Sequence, residues 1–276
     1  MRPAAAAAVR RSRSDPERGG VKIATFNVNG IGARLPRLLD WLGETQPDVA
    51  CLQEIKTVDD GFPMLAIEAA GYHALVHGQK GFNGVAILSK ALAVETQRGL
   101  PGEPDDDHAR YLEAEVDGVT VATIYLPNGN PQPGPKFDYK LRWFDRLSTR
   151  AATLQATERA VVLAGDYNVI PTADDVFNED VMAGDALVQP ATRAAFRGLL
   201  AQGWTDAIRS VQPNGRAYTF WDYQAGAWPR DHGLRIDHLL LSPSAADRLS
   251  NAGIDRTVRA GERASDHVPV WIELRR

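Results

Sequence analysis

The sequence predicts one α/β domain in which packed sheets are flanked by helices. Three observations predict it. Apolar runs of strand length outnumber amphipathic helical stretches, and the two are interspersed. No linker divides Val21 from the C-terminal end. No fixed-period repeat is visible, which excludes a solenoid. A chain of 276 residues can also bury most of its apolar surface without staples.

The elements follow in order. Residues 1–20 hold five Arg against Asp15 and Glu17 and show no hydrophobic periodicity, so they read as a disordered basic tail. The apolar stretch Ala4 to Val9 is too short for the core of a secretory signal. From Val21, VKIATFNV reads as a buried strand, LPRLLDWLGET as a short amphipathic helix and DVACLQ as a second strand. ALVH and GVAILS follow as strands. YLEAEV and VTVATIYL form a hairpin around Asp117-Gly118. Leu141, Phe144, Leu147 and Leu154 have helical spacing, predicting a helix over 139–157. AVVLAG is a buried strand ending at a turn, and RAAFRGLLAQG a helix closed by Gly203. AYTFWDY, RIDHLLLS and VPVWIEL are three more strands.

Composition excludes several functions. The net charge is −4, not that of a protein that coats nucleic acid nonspecifically. It permits an enzyme whose carboxylates hold metal while basic groups line one face. The single Cys51 excludes an internal disulfide and suits a reducing cytosol. No stretch approaches the ~20 apolar residues of a membrane span. The six His and one Cys show no zinc-ligand spacing. Ser265-Asp266-His267 is contiguous, so it cannot form a serine-hydrolase relay.

Polar residues gather where the apolar strands end. The clusters are Asn27-Val28-Asn29-Gly30, Gln53-Glu54-Ile55-Lys56, Tyr125-Leu126-Pro127-Asn128-Gly129, Asp166-Tyr167-Asn168, Arg235-Ile236-Asp237 and Ser265-Asp266-His267. Strand ends are where α/β folds place their sites. Singly, each has a plain explanation: Asn-Gly and Asp-x-Asn are ordinary turn chemistry, Glu54 a solvated loop acid, Trp221 and Trp271 core. The ordered set is not explained that way.

That set, with FNVNG, LQEIK, GYHALVHGQKGFNGVAILSK, YLPNGNP, GDYNV, TFWDYQ, GLRIDHLLLS and SDHVPVW, resembles the exonuclease III/abasic-site endonuclease family of the endonuclease/exonuclease/phosphatase superfamily. The resemblance runs from about Val21 to the end and marks residues 21–276 as a single catalytic domain. It implies a four-layer α/β/β/α sandwich, two mixed sheets face to face with helices outside. It also implies Mg²⁺, with Mn²⁺ as an alternative. Double-stranded DNA with abasic sites or 3′ ends would be the substrate, acted on by a cytoplasmic bacterial monomer with no membrane partner.

Residue roles follow from the same resemblance. Glu54 is the principal metal ligand, with Asp266 and Asn29 beside it; some members carry Asp where this chain has Asn29. A hard carboxylate suits Mg²⁺. Asp166 and Asn168 orient and activate the attacking water. His267, held by Asp237, touches the scissile phosphate. An Asp–His pair fixes the tautomer and raises the imidazole pKa. Sequence leaves open whether Asp166 or His267 is the base. Tyr125 offers a phenol hydrogen, and Asn27 helps hold the Asp166 or metal end.

For substrate recognition, Phe220, Leu234 and Ile236, with Trp221 adjacent, match a pocket that takes a flipped abasic sugar. Leu234 stands where other members have Trp. Phe82 matches a position that enters the minor groove. Arg110, Lys56, Lys80, Arg142 and Arg235 are candidates for phosphate contacts. His108 and the run Asp105-Asp106-Asp107 read as a solvated turn. The implied activity is incision 5′ to an abasic site plus removal of nucleotides or blocking groups from 3′ ends. One alternative is a superfamily phosphodiesterase acting on RNA or another diester; it would keep Glu54, Asp166, Asn168 and His267 without needing Phe220, Trp221 or Phe82. Another is a non-enzymatic DNA-binding module, disfavoured because every expected catalytic position is filled.

Overall fold

A computed structural model describes residues 20–276. The expected basic tail lies outside the described residues except for Gly20, which is already the first residue of a strand. In chain order the strands and helices are β1 (Gly20–Asn27), α1 (Ile31–Thr45), β2 (Val49–Gln53), α2 (Met64–Ala69), β3 (His73–His77), β4 (Val85–Ser89), β5 (Val94–Arg98), β6 (Tyr111–Val116) and β7 (Val119–Tyr125). Then come α3 (Pro135–Gln155), β8 (Val161–Asp166), α4 (Glu179–Met182), α5 (Pro190–Ala201), β9 (Thr205–Asp206), α6 (Ala207–Val211), β10 (Asp237–Leu241), α7 (Pro243–Ala246), β11 (Leu249–Ile254) and β12 (Val270–Arg275).

Two six-stranded sheets result, ordered β11-β12-β1-β2-β4-β3 and β5-β6-β7-β8-β10-β9. Each is mixed. A central parallel pair, β1–β2 in one and β7–β8 in the other, is joined by a helix, α1 or α3. The central strands are buried on both faces, which is why they read as continuous apolar runs. Alternation sorts the side chains between layers. Val21, Ile23, Val49 and Cys51 meet Val121, Val162, Ala164 and Leu239 between the sheets. Ala24, Phe26 and Leu52 face outward against Leu38, Trp41 and Leu42 of α1. Trp143, Phe144 and Leu147 of α3 cover Ile124, Val161 and Leu163. Each fully buried large side chain contributes about 1.5–3 kcal/mol. The four-layer α/β sandwich is therefore present.

Several local expectations change. The hairpin forms where predicted, because Asp117 and Gly118 both take the positive φ of its tight turn. AYTFWDY, however, is not a strand. Only Phe220 makes isolated bridges there, to Leu234 and His267, so the segment has no continuous ladder. β5, β9 and β11 were not predicted. β5 reads VETQR along an exposed sheet edge, β9 has two residues, and β11 carries a register shift, so none shows an apolar alternation. The run at 105–107 is not simply a solvated turn. The Asp106 side chain is only 5% exposed. It accepts from Arg146 Nη1 at 2.6 Å and Tyr139 Oη at 2.9 Å, pinning that loop to α3.

A candidate active site at the strand ends

Strand register assembles the site. Tyr125 ends β7 and is paired with Asp166, which ends β8; Asp166 is paired with Asp237, the first residue of β10. An antiparallel strand begins where its neighbour ends, so three functional groups share one row. In the facing sheet Asn27 ends β1 beside Gln53, which ends β2, and Glu54 follows. β12 opens with Val270 opposite Thr25, which carries the preceding residues 265–267 past the end of β1. Eleven non-glycine residues of the described chain have positive φ, and Asn29, Glu54, Lys56 and Asn168 are four of them. A left-handed residue costs about 1–2 kcal/mol outside Gly, Asn and Asp. Glu54 and Lys56 carry that cost, and such strain at one rim marks a site held by its surroundings rather than by local preference.

A continuous network ties the rim together. Asn27 Nδ2 donates to Glu54 Oε1 at 2.9 Å and to Asp166 Oδ2 at 3.0 Å. Tyr125 Oη donates to Glu54 Oε1 at 2.9 Å, and Lys56 Nζ pairs with Glu54 Oε2 at 2.8 Å. Lys56 also donates to Asn29 Oδ1, while Asn29 Nδ2 donates to Asp266 Oδ1 at 3.0 Å. The Asn168 amide N–H donates to Asp166 Oδ1 at 2.9 Å, an Asx turn that aims the carboxylate. His267 Nδ1 lies 2.9 Å from Asp237 Oδ2, and its Nε2 lies 3.8 Å from Asp166 Oδ2.

Each group's charge state follows from these neighbours. Burial raises the Asp166 carboxyl, the negative charges of Asp237 and Glu54 add to it, and His267 opposes them; the net shift is upward. Burial alone would lower His267, but the charge and hydrogen bond of Asp237, then Asp166 and Asp266, lift it to about 10. Burial would raise Glu54, yet hydrogen bonds from Asn27 and Lys56 and the Lys56 charge hold it below the ordinary range. Tyr125 is raised well above its ordinary value, first by burial and then by Glu54 and Asp166, so the phenol keeps its proton. The rim thus offers an ionised Glu54, a protonated phenol, a cationic imidazole and a buried carboxyl able to take a proton. Turnover should accordingly follow a bell-shaped pH profile. Its acid limb belongs to Asp166 and falls above pH 3.8, and its alkaline limb belongs to His267 and falls above pH 6.5. Steady-state rates across the pH range check this; a flat acid side down to pH 3.8 would contradict the Asp166 assignment.

A cation fits this donor set. Glu54, Asp166 and His267 each bring a ligand atom within 4.8 Å of the others. A cationic His267 has no lone pair for a metal, which leaves carboxylate oxygen, the chemistry of hard metal ions. Asp266 is tied to this cluster through Asn29.

The site opens into a cavity of about 530 Å³. Glu54, Tyr125, Asp166, Asn168, Asp266 and His267 line it together with Phe220, Leu234 and Ile236. Phe220 packs its ring 4.9 Å from the His267 ring, joining the polar and apolar groups. Trp221 is a correction. In an extended segment the next side chain points the opposite way, and Trp221 is fully buried against Tyr218 and Trp228, its indole N–H on Asp231 at 3.0 Å. Arg235 is a second correction, being 1% exposed and clamped between Asp175 and Asp206, where no phosphate reaches it. Arg110 is half-buried with its guanidinium 4.6 Å from the Tyr125 ring. Phe82, 74% exposed, and Lys80 stand on the loop between β3 and β4, and Arg142 is exposed on α3; none of the three lines the cavity.

Sequence reasoning missed two kinds of residue. Phe177, Met182 and Leu187 complete the apolar wall from an irregular stretch without period. Thr219 accepts from the Asp237 backbone N–H at 3.2 Å and donates to Asp237 Oδ2 at 2.6 Å, orienting the carboxylate that holds His267. Its place in the quoted TFWDYQ stretch was the available signal.

The endonuclease/exonuclease/phosphatase family model matches residues 24–267. The chain is 33% identical over 267 residues to exodeoxyribonuclease III of Haemophilus influenzae, covering 92% of this chain and all of that one. It superposes on an AP endonuclease from Archaeoglobus fulgidus with a TM-score of 0.88 at 36% identity, covering 92% and 99% of the two chains. A 3′ phosphatase from Neisseria bound to a product DNA hairpin gives 0.89 at 39%, covering 92% and 99%. With the family's span enclosing every group of the rim, the chain belongs to the endonuclease/exonuclease/phosphatase family, in its exonuclease III/AP endonuclease branch, and is a phosphodiester-hydrolysing nuclease.

Proposed function

We propose that this DNA-repair nuclease uses Mg²⁺ to cleave duplex DNA 5′ to an abasic site, and also clears nucleotides or blocking groups from 3′ ends. One observation carries the reading: the reacting groups and the apolar wall of Phe220, Leu234 and Ile236 line the same cavity. An extruded sugar in that pocket would bring its 5′ phosphate to the rim. The Archaeoglobus AP endonuclease and the Neisseria 3′ phosphatase support the two halves of the activity.

In this mechanism Asp166 takes a proton from a water held between it and Asn168. The water oxygen attacks phosphorus, and the bond to the 3′ oxygen of the upstream nucleotide breaks. The products are a 3′-hydroxyl and a 5′-deoxyribose phosphate. His267 keeps its proton and pairs with a phosphate oxygen. A cationic His267 favours Asp166 as the base, because an imidazolium cannot accept a proton. Tyr125 directs its phenol hydrogen bond toward the leaving oxygen, which takes up a proton from solvent to become the 3′-hydroxyl. Glu54, with Asp266 and Asn29, would hold the Mg²⁺, which neutralises phosphate charge and favours departure of the alkoxide when bound. The protein acts as a monomer in the cytoplasm on this reading.

The test is a duplex with one tetrahydrofuran abasic analogue beside the same duplex undamaged, each with Mg²⁺ and with EDTA. Incision at the analogue that chelation abolishes is the expected result. Digestion of 3′ ends or RNA without incision at the analogue would leave the rim correct and overturn the abasic reading.

A further inference from the structure

Lys140 lies in the first turns of α3, on the face that otherwise presents Trp143, Phe144 and Leu147 to the core, and is fully buried. Among the described residues its Nζ meets no carboxylate. It donates instead to three backbone carbonyls, Asn168 O at 2.6 Å, Pro127 O at 3.0 Å and Asn128 O at 3.1 Å. An ammonium group has three N–H donors, and three acceptors satisfy it fully. Burial draws its pKa down to about 7 while the charges of Asp166 and Asp185 favour the ammonium form, and an unpaired charge at this depth would be strongly unfavourable without the three acceptors.

Those carbonyls belong to two separate loops. One follows β7 and the other follows β8, and the side chains of the reacting rim hang from both. Asn128 Nδ2 donates to Asn168 Oδ1 at 3.1 Å, and the Asn168 N–H holds Asp166 Oδ1. Asn168 takes φ +47, a conformation that turns its carbonyl inward to the lysine. The chain also closes tightly over the lysine stem. A Cβ at Gly129, where φ is +92, would stand 2.6 Å from Lys140 Cδ. The loop can approach this closely only because glycine has no side chain.

We infer that Lys140 is a positioning residue for the hydrolysis: its ammonium acts as a built-in monovalent cation, joining the loops after β7 and β8 and setting where Asp166 and Asn168 meet the water. The three carbonyls form a cation site that the lysine itself fills. A small cation should therefore take its place when the stem is cut away. The inference rests on the reading of Asp166 and Asn168 as the water-activating pair.

The experiment compares Lys140→Met, Lys140→Ala and Asp166→Asn with the full-length protein on a 3′-end or abasic duplex. Displacement of reacting groups by about 1 Å can lower rates about 10²-fold. Lys140→Met, which keeps the volume without the charge, should lose kcat by about 10–100-fold while KM stays within about twofold, the pattern of lost transition-state alignment. Lys140→Ala should regain kcat in ammonium or methylammonium chloride, saturably, and not in tetramethylammonium chloride of equal ionic strength, whose cation is too large for the site. Full kcat in Lys140→Met would overturn the inference, as would equal responses of Lys140→Ala to the salts. Should Lys140→Ala lose its melting transition, the kcat and KM of Lys140→Met decide alone. The third variant separates the two readings. An active Asp166→Asn removes the reading of the site itself; an inactive Asp166→Asn beside a fully active Lys140→Met removes only the role of Lys140.

Discussion

Asp166→Asn should lose about 10²–10⁴-fold in kcat, the range that a positioned general base supplies, while its melting temperature does not fall. The loss follows from the removal of the one buried carboxyl aimed at the cavity with a raised pKa. Stability moves the other way for a reason of sign. A carboxyl whose pKa is higher in the folded state than in the unfolded chain contributes most below its unfolded value and loses that contribution as pH rises through the folded value. Above that range the buried anion opposes folding, and a neutral amide removes the opposition. Single-turnover rates on the abasic duplex and thermal melts near neutral pH are the two measurements. A variant that keeps its rate to within about tenfold would show that another group accepts the proton.

Arg235→Met should lose about 3–5 kcal/mol of folding stability, the range for breaking a buried ion pair from one side. The guanidinium reaches Asp175 through Nε at 2.6 Å and Nη2 at 3.2 Å, and Asp206 through Nη1 at 2.8 Å. Removing it leaves two buried carboxylates, with Arg209 the one cation still on Asp175 among the described residues, beside hydrogen bonds from Thr172. Burial would raise Asp175, but Arg235 and its other partners hold it at about 2. A depressed carboxyl stabilises the fold above its unfolded value of 3.8 and loses that contribution as pH falls toward its folded value. The gap between wild type and Arg235→Met should therefore be full at neutral pH and narrow below 3.8. Urea denaturation at both pH values measures it. Lysine should not restore the loss, since it cannot reproduce the planar fork that grips Asp175 twice. A gap that stayed constant in acid would mean that packing, not charge, is what the arginine supplies.

Arg235 also illustrates how far the sequence could be read. An arginine beside Asp237, in a segment quoted for DNA recognition, looks like a phosphate contact. Its partners lie 60 and 29 residues away in the chain, and no local pattern announces them. Trp221 misled for a related reason. It follows Phe220 in a segment that is extended but unpaired, so its direction depends on what packs on each side. Asp106 looked solvated because its three-acid run carries no period, yet Arg146 and Tyr139 of α3 bury it. β5 and β9 were missed because an exposed edge or a two-residue strand has no buried face to impose alternation.

The central strands, the hairpin, the helices α1, α3 and α5, and the polar clusters at strand ends were legible because each is a local pattern. Burial on one or both faces writes its period into consecutive residues, and a tight turn demands particular ones. The roles assigned to Glu54, Asp166, Asp237 and His267 came from the family resemblance that those ordered clusters carry. What the order could not contain was their pairing. Asn27 reaching Asp166 across the sandwich, Thr219 steering Asp237, and Lys140 closing on three carbonyls each join residues from separate elements. Only tertiary packing, sheet on sheet for Asn27 and helix or loop on strand ends for Lys140 and Thr219, brings such groups within hydrogen-bond distance, and that distance sets their charge.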